Sequence, residues 1–139
     1  MSLKRIFYAG FIATIITFLY SYLTDGYRFS WIYLIVPGAA IWKDFAGIWY
    51  LWSILVIFIV SIIYAFIYAL IEESVPGIRF SKGFFFGLML WLVGVLPFAL
   101  DTIVSTKLNV FIPIYLLFNG LVRSILTGVV FAGMLTEKK

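Results

Sequence analysis

Arg123 carries more chemical capacity than any other residue in this chain, because it lies in the middle of a run from Phe111 to Leu135 that is otherwise almost free of charge. A guanidinium presents five donors in a rigid fork and stays protonated at any physiological pH. Held at mid-membrane depth it is costly, and such a residue faces protein or water and marks a functional hypothesis. Tyr115, Asn119 and Thr127 recur with Arg123 at four-residue spacing, so a helix would set all four on one polar ridge. Together with Asp101 these residues form the candidate intramembrane polar site.

Two chemistries suit that ridge. In the first, Arg123 is paired inside the chain. Pro97 cannot donate to the carbonyl of Val93, so this carbonyl is free to accept from the guanidinium. Depth allows it: Arg123 lies about 18 Å, and Val93 about 15 Å, above the same ends of their helices at ~1.5 Å per residue. Asp101 stands roughly 9 Å higher than Arg123 by the same arithmetic, within marginal reach, and Asn119 is expected to fill a remaining position. In the second, Arg123 with Tyr115 and Asn119 binds an anion or a lipid headgroup within the bundle.

Other chemistry has little material. The chain has no cysteine and no histidine, which removes thiolate sites, the commonest metal ligand and the base best suited to neutral pH. Its six carboxylates are Asp25, Asp44, Glu72, Glu73, Asp101 and Glu137, most of them where an apolar run ends. Glycine-rich phosphate loops, nucleophile elbows and metal-binding helix patterns are absent from the sequence. No catalytic residue, metal site or cofactor is therefore expected, and the chain is read as a non-enzyme.

The elements that must position Arg123 are membrane helices. Of 139 residues 65% are apolar and only 12% charged, with a mean hydropathy of +1.15, far outside the range of soluble domains. Four runs, at about 6–23, 46–71, 83–100 and 112–135, approach or exceed the roughly 20 helical residues that cross a bilayer. Unsatisfied backbone in lipid dictates helices. The expected fold is thus an all-α integral membrane protein, a single domain of four transmembrane helices in a compact bundle. Lys4 and Arg5 could imitate a signal peptide, but no small-residue cleavage pattern follows, and the first run is read as a retained helix.

Charge placement sets the expected topology. Lys4, Arg5, Arg79, Lys82, Lys138 and Lys139 flank one side, against Arg28, Lys43 and Lys107 on the other, so both termini are expected in the cytoplasm of a cell membrane. The net charge of +4 is accounted for by these flanks, and no nucleic-acid partner is expected. The segment 29–42 is too apolar for a solvated loop and too short to span. It is expected to lie at the interface as an aromatic anchor or to dip in as a re-entrant hairpin around Pro37 and Gly38.

Small residues nominate the packing faces. Gly120, Ser124, Gly128 and Ala132 make a smooth ridge on the fourth run, Ser61, Ala65 and Ala69 one on the second, and Gly83, Gly87 and Gly94 one on the third. Thr14, Thr17, Ser21 and Thr24 line one face of the first. With lipid as the surroundings, the leading functional expectation is a subunit, assembly factor or stabiliser of a larger membrane complex, partnered by other membrane subunits or by copies of itself. The alternative is a small oligomeric transporter or channel that moves an anionic or amphipathic solute past Arg123. A lipid-modifying enzyme comes third.

Overall fold

The computed structural model describes residues 2–24 and 48–136. All regular elements among them are helical, and four helices are long and apolar enough to cross a membrane. Helix α1 is Leu3–Ser21, and a final wide turn extends this first span to Thr24. Helix α2 is Ile48–Ile71. The third span begins as α3, Arg79–Leu90, passes through a π-helical turn at Trp91–Val95, and continues as α4, Leu96–Ser105. Helix α5 is Phe111–Leu135. The interfacial or re-entrant segment expected at 29–42 lies outside the described residues.

The third span departs from expectation. It covers Arg79–Ser105, 27 residues, where the apolar run suggested 83–100. Polar residues at its ends do not stop the helix because they find bonds close by. Lys82 Nζ donates to Glu72 Oε1 at 2.7 Å and to the Glu72 carbonyl at 2.8 Å. Thr102 and Ser105 hydroxyls donate one turn back, to the Phe98 and Asp101 carbonyls. The turn into α3 is tight, and Gly77 takes φ +100°, where a side chain would be strained and would meet Ser81 Oγ at 2.6 Å. The start of α5 is held by Asn109, whose Oδ1 accepts from the Phe111 N–H at 3.1 Å. Pro113 follows in the first turn, where its missing donor costs least.

Small residues do bring the helices together. Helix α3 lies across α5 with Gly83 and Gly87 set against Gly128 and Ser124. A Cβ on Gly83 would stand 2.6 Å from the Val129 Cα, so the two backbones are in direct contact. Lipid supplies no hydrophobic drive between helices, and close dispersion contact of this kind takes its place. Helix α1 packs on both α2 and α5; a Cβ on Gly10 would lie 2.8 Å from Ile62 Cγ1. Ser61, Ala65 and Ala132 are buried, with Ala69 partly so, as their ridges implied.

Gly94 does not join that seam. A Cβ added there would meet nothing within 4 Å among the described residues. The π turn is the cause: the Leu96 N–H reaches back five residues to the Trp91 carbonyl, so one extra residue fits into the turn. The inward position after Gly87 is thereby moved from Gly94 to Val95, whose Cγ1 packs on Gly120 at 2.5 Å from the place a Cβ would occupy.

The core lies toward the end that carries Ser2 and Thr136. Tyr68 and Phe86 meet edge to face at 4.9 Å, and Phe131 joins them, 6.2 Å from Phe86. Ile6, Ala9, Ala13 and Leu135 close around these rings. The Tyr68 hydroxyl is satisfied by Thr136 Oγ1 at 2.8 Å. Two guanidinia cap the C-terminus of α5: Arg5 Nε donates to the Met134 carbonyl at 2.6 Å, and Arg79 donates to the Gly133 carbonyl. Cations belong at this end of a helix, where carbonyls lack intrahelical partners and the dipole is negative.

Candidate functional site

Beyond that aromatic floor the helices part, and a crevice of about 210 Å3 opens among them. Thr17 of α1, Ser61 and Tyr64 of α2, and Arg123, Ser124 and Thr127 of α5 line it, with Val56, Ile57, Val60, Leu90 and Val95 as apolar walls. The small-residue ridges explain its position. Four-residue spacing on α5 carries Ser124 inward beside Arg123, and the same spacing on α2 carries Ser61 inward, so little side-chain volume fills the gap between them.

The polar floor is ordered by its own bonds. Thr17 and Thr127 share a hydrogen bond between their Oγ1 atoms at 3.2 Å, and Thr127 Oγ1 also donates to the Arg123 carbonyl at 2.9 Å. Thr17, Ser61, Ser124 and Thr127 are all buried. Arg123, by contrast, is exposed, as are Val56 and Val60, so the crevice communicates with the outside of the protein along an apolar wall.

Arg123 is not paired as expected. Among the described residues no hydrogen bond or ion pair joins its guanidinium to the Val93 carbonyl, to Asp101 or to any other group; the ion pair seen is Lys82–Glu72. Rise per residue bears on height along a helix and does not fix the direction in which a group faces. The Val93 side chain is 80% exposed on the outer face of the π turn, and Asp101 is exposed as well. Asn119 also serves elsewhere, its Nδ2 donating to Tyr115 Oη at 3.4 Å and to Thr24 Oγ1 at 3.5 Å, where α1 ends. The structure therefore splits the expected ridge. Arg123 and Thr127 enter the crevice, whereas Tyr115 and Asn119 tie α5 to the far end of α1.

Thr17, Ser61 and Tyr64 were legible as polar faces of their helices, yet nothing in their spacing tied them to Arg123. The walls Val56, Val60, Leu90 and Val95 gave no signal at all, since apolar residues on membrane helices look alike whichever way they point. Trp91 adds a further unforeseen contact, its Nε1 donating to the Leu117 carbonyl at 2.9 Å and fixing the π turn against α5.

No group of three or more acidic, histidine or cysteine residues that could hold a metal occurs among the described residues. No family model matches the chain, and no curated protein or solved structure matches it either. The four apolar helices define a multi-pass helical membrane protein.

Proposed function

We propose that this chain is a small transporter-like membrane protein, working as an oligomer, that engages an anionic or amphipathic solute at Arg123. The observation that carries the reading is that Arg123, an exposed residue, lines an open crevice with no counter-charge from the described residues. A mid-span cation without an internal partner is expensive to keep. An anion brought from outside relieves that cost and is recognised through charge-assisted bonds. Ser61, Tyr64 and Thr17 supply further hydroxyls along the same wall. In this reading the helices form a compact bundle in a cell membrane, with the end carrying Arg5, Arg79 and Lys82 in the cytoplasm by the positive-inside rule.

The test is flux in proteoliposomes. Efflux of anionic solutes that depends on the native protein and is lost in Arg123→Leu supports the proposal; flux unchanged by that substitution removes it.

A second reading keeps the chain as a subunit or stabiliser of a larger membrane complex. Gly94 favours it, a small residue on an exposed face that no described residue packs against. Purification in mild detergent with a different membrane protein in fixed ratio is the outcome that selects this reading over transport.

A further inference from the structure

We infer that the crevice takes the head of a single-tailed, singly charged amphiphile, a long-chain carboxylate, with its tail lying outside against the bilayer; the inference rests on the anion-binding reading of Arg123. Charge is the first ground. Among the described lining residues Arg123 is the one cation and the other polar side chains carry hydroxyls, so the site balances one negative charge. A dianionic phosphomonoester would leave a charge unmatched at mid-span, where that is costly.

Size is the second ground. The crevice of about 210 Å3 falls below the ~300–1,000 Å3 of sites that enclose a whole small molecule. At ~30 Å3 per water it equals about seven waters, room for a compact head and not for a phospholipid headgroup with two chains. A planar carboxylate also engages the guanidinium fork through two parallel N–H···O bonds.

The third ground is the way out. Val56 and Val60 stand one turn apart on α2, both exposed and both on the lining, and Leu90 and Val95 face them from the third span. A polar floor with an apolar exposed wall suits a ligand that is polar at one end only. A freely soluble anion would have to shed its water to reach this depth, whereas a fatty acid already resides in the hydrocarbon.

The experiment is equilibrium binding of labelled stearate to the full chain in nanodiscs of neutral phosphatidylcholine, with octadecanol as the uncharged probe of equal length. Acetate and phosphatidylglycerol serve as competitors. Stearate is expected to bind at least tenfold more tightly than octadecanol, with that ratio falling to near one in Arg123→Gln and partly kept in Arg123→Lys. Val60→Trp, which fills the crevice and leaves Arg123 in place, is expected to abolish stearate binding while the protein remains monodisperse. Equal binding of stearate and octadecanol, or stearate selectivity surviving in Arg123→Gln, overturns the inference. Millimolar acetate displacing stearate assigns the site to free anions, and phosphatidylglycerol displacing it assigns the site to phospholipid; either overturns the carboxylate-amphiphile assignment while leaving Arg123 an anion site. Absence of Arg123-dependent binding by every one of these anions removes the broader reading too.

Discussion

Gly87 on the third span touches Ser124 on the last so closely that a Cβ on Gly87 would stand 2.5 Å from the Ser124 carbonyl oxygen. Both partners there are helix backbone, which cannot swing aside as a side chain can. Gly87→Leu is therefore expected to force the helices apart and to cost at least the ~1–3 kcal/mol typical of overpacking. Gly94→Ala, where an added Cβ meets no described residue, is expected to be neutral or to stabilise by up to ~1 kcal/mol through helix propensity. Thermal unfolding in detergent compares the two, and equal losses of stability would contradict the seam.

Arg123→Leu is expected to separate stability from function. Removing a mid-span arginine saves about 2.5–3.5 kcal/mol on the insertion scale, and leucine adds roughly 0.3–0.6 in its favour. With no pairing to lose among the described residues, the variant should insert more readily and resist heat better than the native chain. Glycosylation-mapped insertion of the Phe111–Leu135 segment measures the first effect. A variant that inserts normally yet unfolds more easily would show that Arg123 has a structural partner.

The membrane class and the four spans follow from run length alone, because only long apolar helices fit a bilayer. The Gly83–Gly87 contact with Gly128 was also legible, since small residues four apart on two helices have few other uses. The surroundings of Arg123 were not. Rise per residue gives the height of Val93 and Asp101, whereas the direction each faces depends on how spans rotate about their axes. The π turn at Trp91–Val95 alters that rotation by one residue, and Pro97, the visible signal, pointed to a freed carbonyl instead of a widened turn.

Lys82 and Glu72 form a mostly buried pair that closes the turn between α2 and α3, with side chains 16% and 13% exposed. Lys82→Met strands the Glu72 carboxylate and a carbonyl, and is expected to cost about 1–3 kcal/mol. Glu72→Gln should cost less, because Lys82 keeps its bond to the Glu72 backbone carbonyl. A double-mutant cycle reads the coupling, and additive losses would show that the pair does not interact in the membrane.

Arg5 and Arg79 are expected to hold topology as well as structure. Both donate to the last carbonyls of α5, bonds each worth up to about 1 kcal/mol at an exposed helix end. They also belong to the six cations that charge counting expects on one side, against three expected on the other. Replacing both with glutamine leaves four against three, and a mixed orientation is expected. The native chain has no cysteine, so a single Cys introduced near an end reports its side by impermeant labelling. Uniform labelling after the double substitution would assign the orientation to other residues.

The widened turn at Trp91–Val95 gives the third span slack that the last span does not have. Deleting Gly94 can be absorbed by letting the turn relax to ordinary helix, with Ala99 and Thr102 still facing inward. Deleting one residue between Arg123 and Gly128 has no such outlet, and swings everything on one side of the cut by about 100°. Tolerance to a lost codon is thus written unevenly along this chain, generous beside the crevice wall and absent on the helix that carries its charge.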